Sequence, residues 1–315
     1  MMEPTPVYIC TGFLDSGKTL LVKDTLMEQE WIDPGLTLLI LCEEGEEEYD
    51  PRELLKYGVV IETVEEKEDL TEEWLEEMNK KHEPERVVIE YNGMWQVSEF
   101  EKMKLPAGWA IEQKITTVDA STFQMYLTNL KPLFVEMVKG AELVLFNRCE
   151  DKKPLAGYRR SVKVVSPQAE VIFEDENGEV DNIFEDEVPY DLKAPVIEIP
   201  REDYGIWYID MQEHPERYKG KVVEFVAKVM KPKAFPSKVF YPGRMAMTCC
   251  ADDTSFIGYV CKCASAKSLV MGSWVDVTAT VKWGYMKVYD GEGPVLYAKE
   301  TNPTKKPESE LVYFN

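Results

Sequence analysis

The sequence predicts an α/β domain built on a mainly parallel sheet, followed by a small all-β domain of the OB-like barrel type. Three observations carry this. Through residues 7–172 short apolar runs alternate with stretches of helical periodicity, the pattern of parallel strands joined by crossover helices. From about residue 205 the pattern changes to short strand candidates separated by turns rich in Gly, Pro and Asp. Between the two lies a segment with Pro189, Pro195 and Pro200. The expected boundaries are 1–185 for the α/β domain, 186–204 for a linker and 205–315 for the barrel.

The α/β domain opens on Val7-Tyr8-Ile9-Cys10, a short buried strand, and continues through Leu20 to Glu30 as a helix. Between them, Gly12-Phe13-Leu14-Asp15-Ser16-Gly17-Lys18-Thr19 fits G-x-x-x-x-G-K-[ST], the phosphate-binding loop of P-loop NTPases. In that context Gly12, Asp15, Ser16 and Gly17 form a turn whose backbone N–H groups and helix N-terminus face phosphate oxygens. Lys18 reaches the β and γ phosphates, and the Thr19 hydroxyl ligates Mg²⁺.

The next apolar run, Leu36 to Cys42, suits a strand buried on both faces, and it ends in the acidic stretch Glu43 to Asp50. Open α/β sheets bind ligands at the carboxyl ends of their strands, so Glu43 or Glu44 is a candidate Mg²⁺ ligand, directly or through water. The other acids read as a solvated loop. Tyr57 to Thr63 is a further strand, and Glu72 to His82 a helix with Trp74, Leu75 and Met78 on one face. Arg86 to Glu90 is a buried strand followed by Tyr91-Asn92-Gly93. Glu-x-x-Gly at a strand end has a mechanical use in a nucleotide switch: Glu90 addresses the metal or its water, and Gly93 lets the backbone swing toward a γ-phosphate. Ile115 to Asp119 is the next strand, and helix follows from Ser121 to about Gly140. Leu143 to Phe146 then leads into Asn147-Arg148-Cys149-Glu150, a spacing that can read a purine base, with the carboxylate accepting from guanine. A helix through Arg159 to Val162 stops at Ser166-Pro167, and Asn177-Gly178 joins two strands, Glu170 to Phe173 and Glu179 to Phe184.

In the second domain Val222–Met230, Met245–Cys250, Phe256–Cys261, Trp274–Val281 and Val295–Ala298 are five strand candidates. Five strands in about a hundred residues suggest a closed OB-type barrel, with a β-sandwich as the alternative.

Composition bounds the function. The 315 residues are 44% hydrophobic and 30% charged, as in a soluble globular protein. No apolar run approaches the ~20 residues of a membrane span, and Met1-Met2-Glu3-Pro4 lacks a basic region ahead of an apolar core, so a cytoplasmic location is expected. The net charge of −22 argues against nucleic acid as a partner. It is unevenly shared: 13 Lys and 2 Arg against 5 Asp and 7 Glu make residues 205–315 net +3 and leave −25 on the first 204. Trp274, Trp283, Tyr285 and Tyr289 could stack single-stranded bases, but aromatics at such positions are more often barrel core. The seven cysteines are an odd number and read as thiols or metal ligands rather than a disulfide frame. With only His82 and His214 available, a protein metal site would rest on thiolates and carboxylates. Cys249, Cys250, Cys261 and Cys263 invite a zinc reading, and Cys42 beside the acidic run is a separate candidate. Neighbours on a strand face opposite ways, however, and Cys250 would lie roughly 15 Å from the Cys261 pair at strand rise. Ordinary buried thiols are the simpler expectation.

Taken together, Gly-Phe-Leu before Ser-Gly-Lys-Thr, the acidic end of the second strand, Glu90-x-x-Gly93, Val118-Asp119-Ala120 and Asn147-Arg148-Cys149-Glu150 resemble the CobW-type metallochaperone GTPases. These are kin to the nickel-insertion GTPases of urease and hydrogenase maturation. The resemblance covers Val7 to Ile172 and implies GTP and GDP as ligands, Mg²⁺, slow hydrolysis and a role in metal homeostasis, zinc first among the metals. It also implies delivery to a metal-receiving protein and a nucleotide-dependent homodimer. Three departures stand out: Asp15 replaces Gly, Arg148 and Glu150 replace Lys and Asp, and the family's Cys-x-Cys-Cys motif is missing from Gly58 to Glu66. Tyr218-Lys219-Gly220-Lys221, Cys249-Cys250-Ala251-Asp252 and Gly272-Ser273-Trp274-Val275 resemble the OB-like domain of a bacterial family associated with permeases. That second resemblance carries the alternative of a nucleotide-binding regulatory or scaffold subunit of a membrane permease, with weak or no hydrolysis.

Overall fold

The computed structural model describes residues 4–27, 35–43, 45, 47–180, 188–233, 235–247 and 254–312. The chain divides into two compact units, Met1–Ile183 and Phe184–Asn315.

The first unit runs β1 (Thr5–Thr11), α1 (Lys18–Met27), β2 (Thr37–Leu41), α2 (Pro51–Leu54), β3 (Val59–Thr63), α3 (Glu72–His82), β4 (Arg86–Glu90), α4 (Val97–Phe100), β5 (Trp109–Asp119), α5 (Phe123–Asn129), α6 (Lys131–Val138), β6 (Leu143–Asn147), α7 (Leu155–Val165), β7 (Glu170–Asp175) and β8 (Gly178–Glu179). The sheet order is β3-β2-β4-β1-β5-β6-β7-β8. Every pairing from β3 to β7 is parallel, and β8 closes the edge antiparallel. Successive strand residues face opposite ways, and both faces are covered. Val7, Ile9, Leu38, Ile40 and Ile89 pack with Leu75, Met78 and Phe100 on one face, while Cys10, Leu39 and Val88 pack with Val22 and Leu26 on the other. This is why β2 reads as an unbroken apolar run. Helix α3 begins where Thr71 Oγ1 accepts from the Trp74 N–H at 3.1 Å, and Lys80, Lys81 and His82 in its last turn oppose the negative end of its dipole. The helical stretch expected from Ser121 to Gly140 is two helices. The break falls at Leu130, and Pro132, which has no N–H to donate, sits in the first turn of α6.

The second unit contains β9 (Ile197–Glu198), α8 (Tyr204–Glu213), β10 (Val222–Met230), β11 (Val239–Met247), β12 (Thr254–Gly258), β13 (Val260–Lys262), β14 (Trp274–Met286), β15 (Gly291–Pro303) and β16 (Leu311–Val312). β10 pairs with β14, β14 with β15, β15 with β13, β13 with β11, and β11 with β10 again. The ring closes as a five-stranded barrel in which only the β13–β15 contact is parallel, and the β-sandwich alternative falls away. β9, β12 and β16 extend the ring as short flanking strands.

The segment expected as a linker contributes β9, which pairs with Val223 and Glu224 of β10. It ends at α8, a helix absent from the sequence expectation. Tyr204, Gly205, Trp207, Ile209, Asp210 and Met211 are all buried, so α8 has no polar stripe to give it a 3.6-residue signature. Trp207 packs against Tyr204, Phe225 and Tyr259. The strand expected from Met245 begins earlier, at Val239. Pro242 and Gly243 lie inside it, where β11 pairs with β10 and where its other pairing passes from β13 to β12. Trp274 is buried in the barrel wall, and the Tyr289 hydroxyl accepts from the Val260 N–H and donates to the Pro294 carbonyl. Both are spent on the fold rather than offered as stacking platforms.

Candidate phosphate-binding site

Strand β1 ends at Thr11, helix α1 begins at Lys18, and the loop between them turns tightly. The Ser16 N–H donates to Phe13 O at 3.1 Å, and the Ser16 hydroxyl meets that of Thr117 at 2.8 Å. Gly17 adopts φ +94°, and a Cβ there would fall 2.5 Å from Asn147 Nδ2. The missing side chain lets Asn147 close over the loop and donate to Ser16 O at 2.7 Å. Asp15 sits at φ +59°, the left-handed region in which glycine is the least strained residue.

Lys18 is 3% exposed, and its ammonium donates to Gly12 O at 2.9 Å and Phe13 O at 2.8 Å and pairs with the Glu43 carboxylate. The other Glu43 oxygen accepts from the Gly93 N–H at 3.2 Å. Glu90, also 3% exposed, accepts from the Thr19 hydroxyl at 2.6 Å on one oxygen and from the Tyr49 hydroxyl at 2.5 Å on the other. Parallel register explains the convergence. Glu90 stands opposite Cys10 of β1 and Leu41 of β2, so the loop, Glu43 and the Glu-x-x-Gly turn share one edge of the sheet. The sequence-predicted residues Lys18, Thr19, Glu43, Glu90 and Gly93 therefore come together. Glu44 lies outside the described residues.

Burial raises the Glu90 carboxyl above its usual range, with the Glu43 charge adding to it, against the hydrogen bonds from Thr19 and Tyr49 and the Lys18 charge. Burial, then the Glu90 charge, pushes the Tyr49 hydroxyl up. One buried lysine thus faces two carboxylates. The oxygen set of Thr19, Glu43 and Glu90 suits a hard divalent cation such as Mg²⁺.

On the base side, Arg148 takes φ +53° and lays its guanidinium across the loop, donating to Asp15 O at 3.0 Å and Asp119 Oδ2 at 2.8 Å. Asp119 pairs in register with Asn147. Its other oxygen accepts from the Ser121 N–H and hydroxyl. Glu150 is exposed. Tyr126 of α5 stacks on Phe13 at 4.2 Å between ring centroids, bracing the loop from outside. Tyr49, Asp119 and Tyr126 were not among the expected site residues. Asp119, at the end of a strand beside Asn147, carried a positional signal, whereas the Tyr49 contact spans 41 residues and had none.

Among the described residues the cysteines form no cluster of three or more. Cys42 is buried in the first unit and Cys261 and Cys263 in the second, while Cys249 and Cys250 lie outside the described residues. Burial, with the Glu43 charge adding to it, pushes the Cys42 thiol up to about 12, and burial likewise raises Cys261. Among the described residues no group of three or more His, Cys, Asp or Glu is arranged to hold a metal. No described helix is long and apolar enough to cross a membrane.

A strand–loop–helix cradle with a buried lysine, a hydroxyl on the first helical turn and acids from neighbouring parallel strands defines a P-loop nucleotide-binding protein. Residues 6–173 match the family described as CobW/HypB/UreG, nucleotide-binding domain, and the chain belongs to that family of P-loop GTPases. Residues 176–314 match the DUF1980 C-terminal domain. The chain is similar to the hydrogenase maturation factor HypB of Archaeoglobus fulgidus, at 18% identity and a TM-score of 0.41, over 55% of this chain and 82% of that one. It is also similar to the Zn(II)-bound YjiA GTPase of E. coli, at 17% identity and a TM-score of 0.43, over 82% of this chain and 89% of that one. No curated protein matches it.

Proposed function

We propose that the protein is a GTP-hydrolysing switch with slow turnover, whose nucleotide state governs the handling of a metal ion or its delivery to a receiving protein. The observation that carries this is the convergence of Lys18, Thr19, Glu43, Glu90 and Gly93 at one sheet edge. In this reading Lys18 and the loop N–H groups hold the phosphates, and Thr19 with Glu90 or Glu44 holds Mg²⁺. Bound Mg²⁺ would supply charge neutralisation on the phosphates. Glu90 and the turn to Gly93 orient the attacking water, so hydrolysis is accelerated by positioning and fixed charge rather than by covalent chemistry. Asn147, Arg148 and Glu150 read the guanine. Metal cargo, zinc first among those to be tried, and a cytoplasmic, nucleotide-dependent dimer enter through family membership.

The test is a calorimetric titration of guanine and adenine di- and triphosphates with Mg²⁺, repeated with Zn²⁺ and metal analysis. Mg²⁺-dependent guanine nucleotide binding is expected, and Lys18→Ala should abolish it. A protein that binds neither guanine nor adenine triphosphate overturns the reading. Stoichiometric binding with no hydrolysis, even beside a partner, would favour the permease-associated regulatory alternative.

A further inference from the structure

We propose that Glu43 is a built-in surrogate for the terminal phosphate: its carboxylate spans Lys18 Nζ and the Gly93 N–H, and so sets the discrimination of the site between tri- and diphosphate nucleotides. The inference rests on the nucleotide reading above and names the residue that tunes it.

Hydrogen-bond capacity makes the argument. An ammonium has three N–H donors, and those of Lys18 go to Gly12 O, Phe13 O and the Glu43 carboxylate. An incoming phosphate oxygen can receive from Lys18 only if one of the three leaves. The two carbonyls belong to the loop backbone, whose turn is fixed by its own hydrogen bonds and by Asn147. Glu43 is held through rotatable side-chain bonds, so it is the partner that can go. It must also go on charge grounds, because a carboxylate and a phosphate cannot share one buried lysine without strong repulsion; the Glu43 side chain is 10% exposed. Its second oxygen accepts from the Gly93 N–H, the backbone group that the Glu-x-x-Gly turn offers to a third phosphate.

A triphosphate therefore displaces Glu43 from both donors, whereas a diphosphate competes for Lys18 alone. The displacement is coupled to the segment after β2. Cys42 O is tied to Asn92 Nδ2 at 3.1 Å and Tyr49 to Glu90, so the same stretch that carries Glu43 is fastened on either side of it. A third phosphate releases the middle fastening.

Glu43→Gln removes the charge and keeps the shape. Affinities of a non-hydrolysable guanosine triphosphate and of the diphosphate are measured by calorimetry for the wild type and the variant, in Mg²⁺ and in chelator. Triphosphate affinity is expected to rise about tenfold, the scale of one charge-assisted hydrogen bond, with a smaller change for the diphosphate. The gain should persist in chelator, because the competition is between anions. Glu43→Asp, which keeps the charge but withdraws it from both donors, should shift the ratio in the same direction by less, and serves if the glutamine variant does not fold. A fall in triphosphate affinity confined to Mg²⁺ would make Glu43 a metal ligand and overturn the inference, as would an unchanged ratio. Binding of no nucleotide by either protein overturns it together with the reading beneath it.

Discussion

Gly93→Ala tests the packing of the switch turn against the phosphate loop. A Cβ at Gly93 would stand 2.3 Å from Gly12 O, 2.9 Å from Phe13 Cα and 3.1 Å from Gly12 C, all backbone atoms that no side-chain rotation can move. Restoring ordinary contact, about 3.5 Å, requires the turn and the loop to part by about 1 Å. Overpacking of this kind destabilises by about 1–3 kcal/mol. The same displacement withdraws the Gly93 N–H and the loop from one another, and a shift of ~1 Å in positioning groups lowers rate by about 100-fold. The expected result is a lower melting temperature together with loss of tight Mg²⁺-nucleotide binding and of hydrolysis. Gly157→Ala is the control. It lies within α7, its nearest neighbour to a new Cβ is Arg160 Nη2 at 3.8 Å, and replacing a helical glycine should stabilise by about 0.5–1 kcal/mol. A Gly93→Ala protein with wild-type melting and wild-type nucleotide affinity would refute the close approach of turn and loop.

In the second unit, Trp207→Ala should lower stability by about 3–5 kcal/mol, read as an earlier unfolding transition in calorimetry. Trp207→Phe should lose less, because the indole N–H is buried without a partner. Burial raises the thiols of Cys10 and Cys42 to about 12 and that of Cys149 to about 11. At pH 8 their thiolate fraction is roughly one in a thousand or less, so these cysteines should resist iodoacetamide in the native protein and react after denaturation. Native labelling at any of the three would refute this placement. The sign with pH follows: a thiol held neutral by folding favours the folded state below the ~8.5 of a free thiol, and that contribution is lost as pH rises toward the folded values.

What could be read from the chain alone follows physical locality. The phosphate loop is local chemistry, eight consecutive residues whose spacing follows from the turn they make, and Glu90-x-x-Gly93 is equally compact. Of the barrel strands, β10, β14 and β15 were legible from their own apolar runs, whereas the expected strand Phe256–Cys261 divides into β12 and β13, and β11 begins at Val239 rather than Met245. Three features were not local. Tyr49 acts through Glu90, across two crossovers of the sheet. Asn147 looked like a base reader, yet its amide also secures Ser16 O, a tie that depends on the bare Gly17. Helix α8 was missed because it is buried almost all round, which erases the periodicity that marks amphipathic helices. The left-handed backbone at Asp15 gives a physical reason for glycine at that position in the resembling family: the turn there favours a residue without a Cβ.

Closure of the barrel imposes an order of events on synthesis. Its first strand, β10, pairs with β11 and β14, and β14 in turn pairs with β15, which ends at Pro303, roughly eighty residues after β10 begins. At about 5–20 residues per second, β10 waits several seconds beside a growing chain before its ring can shut. The P-loop unit, encoded ahead of it, is complete by then. The apolar wall strand Val222–Met230 is thus open to mispairing until the later strands emerge.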